Sequence, residues 1–113
     1  RGGELRFLLQ QRGEIQRISK AVEHIQRNLD QPVSVEQLAE MVHMGQTAFY
    51  KNFKNMMHAS PLKYAKSVKL VKAQTLIKEG KNASEAGYLV GYNSPAQFSR
   101  EYKRHFGFAP SAT

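Results

Sequence analysis

The stretch Gly91–Gly107, Gly-Tyr-Asn-Ser-Pro-Ala-Gln-Phe-Ser-Arg-Glu-Tyr-Lys-Arg-His-Phe-Gly, reads as a tight turn, a capped helix and a stop. Gly91 can take the positive φ that a turn between two helices needs. Ser94 is a good N-cap. Pro95 suits the first helical position, where its missing N–H has no partner to lose. Gly107 stands where a left-handed C-cap is expected. Between these marks Phe98, Tyr102 and Phe106 recur every fourth residue and form an aromatic stripe. At ~100° per residue, Ala96, Ser99, Arg100 and Lys103 fall opposite, flanked by Gln97 and Arg104.

A short helix with one aromatic face and one small, polar and basic face suits a DNA major groove. Small side chains let the backbone approach, and Arg can bond guanine O6 and N7 together. Lys103 and Arg104 can reach phosphates. A single such helix fits an ordinary amphipathic surface helix equally well.

An earlier segment repeats the pattern. Ser34–Lys54 aligns with Asn82–Lys103: Ser34 with Asn82, Gln37 with Glu85, Val42 with Val90. After a turn one residue longer in the second copy, Phe49 matches Phe98, Phe53 matches Tyr102 and Lys54 matches Lys103. The polar stripe repeats too, with Thr47, Tyr50, Lys51 and Lys54 where Ala96, Ser99, Arg100 and Lys103 stand. A duplicated helix–turn–helix is far harder to reach by chance than one copy.

The bulk figures point the same way. A chain of 113 residues makes one compact domain or two small lobes. A lobe of about 45 residues buries little core alone, so a rigid connection is expected. The net charge is +8, from 17 Lys and Arg against 9 Asp and Glu. It favours a polyanionic partner, nucleic acid before a membrane surface. With no cysteine there is neither a disulfide framework nor a thiolate metal site. No apolar run approaches spanning length and no signal peptide is visible, so a soluble, cytoplasmic protein is expected. A start at Arg1 rather than Met is expected of a fragment of a longer chain.

Residues 1–13 hold Leu5, Phe7, Leu8 and Leu9 in a polar setting. With Gly13 breaking the helical propensity, they read as a linker, the tail of a preceding domain or a short helix that docks elsewhere. Ile15, Ile18, Val22, Ile25 and Leu29 then follow at helical spacing, for core packing or a short coiled coil. Pro32 ends the segment, and Ser34 with Gln37 makes a capping box. Val35, Leu38, Ala39 and Val42 form that helix's inner face, His43-Met44-Gly45 the turn, and Gln46–Met57 the first recognition helix. Phe49, Phe53 and Met56 face inward. Ser60-Pro61 opens a long helix to Glu79, stopped by Gly80, with apolar positions at Tyr64, Ala65, Val68, Val71, Ala73, Leu76 and Ile77. It spans roughly 28 Å, near the ~34 Å of one DNA turn. Lys63, Lys66, Lys69 and Lys72 recur along it, for phosphates or simply for solvent. Asn82 with Glu85 caps the next helix. Gly87 inside that helix costs ~1 kcal/mol relative to Ala, which a close helix–helix approach explains. Phe108 is expected to pack back on the second lobe. The subdomains are thus residues 14–59, a linker helix at 60–80, and residues 81–113, together a domain spanning 14–113.

Leu38-Ala39, Phe53-Lys54, Ser60-Pro61, Val90-Gly91-Tyr92, Gln97-Phe98-Ser99-Arg100, Tyr102-Lys103 and Phe106-Gly107 through Pro110 resemble the DNA-binding domain of AraC/XylS-type bacterial transcription regulators. The resemblance runs from about Ile15 to Pro110 and is most specific from Val90 onward. It implies an all-α, seven-helix domain in which two helix–turn–helix subdomains, joined by a long helix, enter successive major grooves. It also implies an N-terminal sensing or dimerising domain. Carried over by position, the base-reading residues are Gln46, Thr47, Tyr50 and Lys51, then Ala96, Gln97, Ser99 and Arg100. Lys54, Ser94, Lys103 and Arg104 are the phosphate contacts. The sequence departs from the family pattern in four places. Gly45 replaces a Ser cap, His58 a Gly, and Asn52 an apolar residue. Ala86 and Gly87 replace Ile and Ala.

The expected function is sequence-specific binding of double-stranded DNA in transcription regulation. The alternative is a protein-interaction module whose basic faces and Leu5–Leu9 segment dock RNA polymerase or another acidic partner. An enzyme is not expected. Asp30 is the only aspartate, His24, His43, His58 and His105 lack ligand-like spacing, and no phosphate loop or acid pair occurs. No cofactor or metal is expected either. RNA is disfavoured because only Tyr50 is placed to stack on a splayed base.

Overall fold

The computed structural model describes residues 2–113 and is all-helical over them. Six α-helices follow in order: α1 Gly2–Arg27, α2 Val35–Met41, α3 Gln46–Met57, α4 Pro61–Lys78, α5 Ala83–Leu89 and α6 Pro95–Phe106. A 3-10 turn at Pro110–Ala112 follows, so the described residues hold six α-helices where the resemblance implies seven helices. Among the described residues there is no strand, and no helix is long and apolar enough to cross a membrane.

The backbone divides into two units. Of the described residues, one takes 2–27 and Val33–Tyr64, the other Asn28–Pro32 and Ala65–Thr113. In the first, Ile18, Ala21 and Ile25 of α1 are buried with Leu38, Ala39, Val42, Phe49 and Phe53. The Phe53 ring lies 5.8 Å from both Phe49 and Tyr64, edge-on to Tyr64. Gln26 donates to the Tyr64 hydroxyl at 2.8 Å. In the second unit Leu70 and Ala73 of α4 pack with Ala86, Val90, Phe98 and Tyr102. Burial of these rings and branched chains is the main favourable term in each unit, about 1.5–3 kcal/mol for each large side chain.

The expectations for α1 and α4 need correction. Gly13 does not separate a linker from a helix: α1 runs unbroken for 26 residues. One glycine costs ~1 kcal/mol, too little to end a helix that keeps its hydrogen bonds on both sides. Ile15 is 47% exposed, off the buried face, and Leu29 lies beyond the end of α1. On α4, Val71 is exposed whereas Leu70, absent from the predicted stripe, is buried.

Candidate nucleic-acid interface

The two turns that aim α3 and α6 are built alike. Met44 N–H donates to Ala39 C=O at 2.9 Å, and Tyr92 N–H to Gly87 C=O at 3.0 Å. Each turn has one residue of positive φ at the same place, His43 at 59° in the first and Gly91 at 102° in the second. A Cβ on Gly91 would lie 3.0 Å from Asp30 Cα, so this turn is both left-handed and tightly covered. Ahead of each pair, Ser34 Oγ accepts from Gln37 N–H at 3.2 Å and Asn82 Oδ1 from Glu85 N–H at 2.8 Å. At the far ends His58 and Gly107 are both left-handed, and they donate to Lys54 C=O and Lys103 C=O. The repeat in the sequence is therefore a repeat of backbone geometry.

Gly87 has a concrete reason. A Cβ there would stand 2.7 Å from Cδ2 of Phe98, inside the ring's van der Waals envelope. Its absence lets α5 and α6 close on each other and seats Phe98, which is 2% exposed.

All eight expected base-reading side chains are exposed: Gln46, Thr47, Tyr50 and Lys51 on α3, and Ala96, Gln97, Ser99 and Arg100 on α6. Lys54, Lys103 and Arg104 are exposed beside them. Ser94 is half-buried, and its Oγ already accepts from Gln97 N–H at 3.2 Å. Its hydroxyl proton stays available to an anion. No acidic residue lies on α3, and the sole carboxylate on α6, Glu101, is turned inward. Both outward faces are therefore cationic and carry no acidic residue of their own helix.

Glu101 is the functional-site residue that sequence reasoning missed. Its side chain is 12% exposed, and its Oε1 lies 2.8 Å from Lys66 Nζ on α4. Burial alone would raise its carboxyl pKa. The Lys66 ammonium, with the Tyr92 hydroxyl and Gln97 amide turned toward it, outweighs burial and holds it below its ordinary value. Burial, then the Glu101 charge, pushes the Tyr92 phenol upward. The Tyr92 hydroxyl and Glu101 Oε2 are nonetheless off hydrogen-bond geometry and have no other partner, so their interaction is electrostatic. Lys69 Nζ sits 6.0 Å from the Tyr92 ring centroid. Two of the four lysines spaced along α4 thus bind within the protein, and Lys66 is engaged rather than spare. Only the pairing of α4 with α6 reveals this; no local sequence signal does.

A family description of a helix-turn-helix domain matches residues 38–113. The chain belongs to the AraC-type helix-turn-helix family. The AraC-type DNA-binding regulator from Chromobacterium violaceum has this fold, with a TM-score of 0.80 at 26% identity, over 88% of this chain and 90% of that one. The lactose operon transcription activator of Staphylococcus xylosus is 32% identical over 95 residues, 83% of this chain and 34% of that protein. The DNA-binding domain of AdpA, solved with a target DNA, shares the fold with a TM-score of 0.76 at 23% identity, covering 84% of this chain and 86% of that one. The chain spans about a quarter to two fifths of the length of the curated relatives it matches, 26% of one and 39% of another.

Within this AraC-type domain the departures from the family pattern fall mainly on the first unit. Gly45 caps α3 without a side-chain bond, whereas Ser94 caps α6 with one. His58 holds φ 58° where a glycine would be unstrained. Asn52 stands in α3 where Glu101 stands in α6, so α3 lacks the corresponding ion pair. At the second unit's end, Tyr102 hydroxyl and Thr113 Oγ1 are hydrogen-bonded, and the Phe106 and Phe108 rings lie 4.5 and 6.2 Å from Tyr102. Phe108 is 40% exposed, so it covers Tyr102 from outside rather than filling the core.

Proposed function

We propose that this chain binds duplex DNA through the outward faces of α3 and α6, as part of a cytoplasmic transcription regulator. Gln46, Thr47, Tyr50 and Lys51 read base edges from α3, and Ala96, Gln97, Ser99 and Arg100 from α6. Lys54, Ser94, Lys103 and Arg104 bond phosphates. The observation that carries this reading is the matched pair of acid-free, cationic faces on equivalently framed helices. Phosphate contacts supply most of the affinity and make it fall with salt. The side chains between them supply discrimination.

The two helices are proposed to occupy successive major grooves. Selecting bound duplexes from a random pool tests this directly. Two half-sites about one turn apart support reading by both helices. A single half-site leaves α3 as a clamp that reads nothing, and a pool with no enrichment ends the proposal.

A second reading has its own observation. Leu5, Phe7, Leu8 and Leu9 are each more than half exposed along α1. We propose that this segment, with the basic faces, docks protein: RNA polymerase, or a sensing or dimerising domain within a longer regulator. Binding is the proposed role rather than catalysis, with neither cofactor nor metal.

A further inference from the structure

On the reading that α3 meets base edges, we propose that Tyr50 makes this helix a detector of the thymine 5-methyl group. The frames of α3 and α6 agree at Phe49 and Phe98, Phe53 and Tyr102, and Lys54 and Lys103. They differ in the middle of the outward face. There α6 presents Ser99 and Arg100, while α3 presents Tyr50 and Lys51. Arg offers a rigid two-pronged donor that fits guanine, and Ser leaves room for it. Lys is a compact, flexible point charge without that planar fork. In α3 the fork is gone and an aromatic ring occupies the space beside it.

That ring is 42% exposed on a face otherwise polar. Lys54 Nζ, one turn along, lies 5.7 Å from its centroid. The ammonium covers one side of the ring and restrains it on the helix surface. Thr47, three residues before Tyr50, and Lys54, four residues after it, are both exposed. The thymine 5-methyl is the one methyl group that the four bases present in the major groove. A restrained ring at the centre of the face gains by burying that methyl. The two helices then demand different chemistry: a guanine under Arg100, a methyl-bearing base under Tyr50.

The test uses a duplex selected by the whole chain, in which each thymine is replaced in turn by deoxyuridine. The expected result is a loss of about three- to fivefold in affinity at one or two positions, the effect of one methyl group leaving a contact. Tyr50→Phe keeps that loss. Tyr50→Ser, which copies the α6 residue, binds the thymine and uracil duplexes equally, and its helical circular dichroism and melting match the parent. The proposal is overturned if no uracil substitution matters while selective binding persists, or if the penalty survives unchanged in Tyr50→Ser. Enrichment of no duplex at all overturns it together with the DNA-binding reading. Selective binding without a methyl effect leaves that reading standing.

Discussion

Gly87 shows how much a single hydrogen atom in place of a methyl can decide. Gly87→Ala removes about 1 kcal/mol of helix-propensity cost. It also forces a Cβ to 2.7 Å from a buried ring, and overpacking of that kind costs about 1–3 kcal/mol. The clash wins, because Phe98 is fully enclosed and cannot swing away. Thermal denaturation of Gly87→Ala should show a lower melting temperature than the parent. The opposite sign holds at His58, which is exposed and left-handed at φ 58°. His58→Gly relieves strain of about 1–2 kcal/mol, partly offset by the greater freedom glycine has when unfolded. A rise in denaturation midpoint with no change in slope is the expected outcome. Arg100 belongs to the same scale. Arg100→Ala should weaken binding of the selected duplex by about 1–3 kcal/mol and relax preference at one base position. Equal loss on selected and random DNA would show a backbone contact only. The sequence disclosed that Gly87 required a close neighbour but not which one, because Phe98 is brought there by the intervening turn.

At the scale of elements, α6 is held at more points than α3. Ser94 caps it, Glu101 ties it to α4, and Gly107 releases its end without strain. The Glu101 tie carries a pH signature. Its folded pKa is depressed below its ordinary 4.5, so its stabilisation is present above that value and is lost as pH falls through the lower folded pKa. The parent should lose more stability than Glu101→Gln between about pH 4.5 and the folded pKa, in melts followed by circular dichroism. Parallel curves would leave the pair without weight. The caps, turns and stops were legible because each depends on residues within four positions of one another. The unbroken course of α1 was not, because a lone glycine gives a weak signal against many ordinary helix formers around it. Glu101 was not, because its partner Lys66 lies 35 positions away on another helix.

For the whole molecule the charge of +8 is the governing quantity. Affinity for any duplex should fall linearly in log–log with salt, with a slope near −0.9 for each phosphate neutralised. Lys103→Ala should weaken selected and random duplexes alike and make the slope about 1 less steep, which titrations at several salt concentrations would read. An unchanged slope would remove Lys103 from the phosphate contacts. The duplication and the outward cationic faces followed from periodicity and spacing, and the all-helical class from the family resemblance. The deployment of Lys66 and Lys69 did not, because a lysine row reads the same whether it meets water, phosphate or an internal carboxylate.

The close cover of Gly91 by Asp30 makes the second unit discontinuous in the gene, since residues 28–32 belong with 65–113. A shortened protein beginning at Ala65 therefore lacks one wall of its own turn, however complete its helices. The order of birth matters too. At ~5–20 residues per second, the ribosome delivers Asp30 about 60 residues before Gly91, so this loop waits roughly 3–12 s for its counterpart. Nascent chains stalled within that interval should leave the loop open to protease, and chains released past Gly91 should close it.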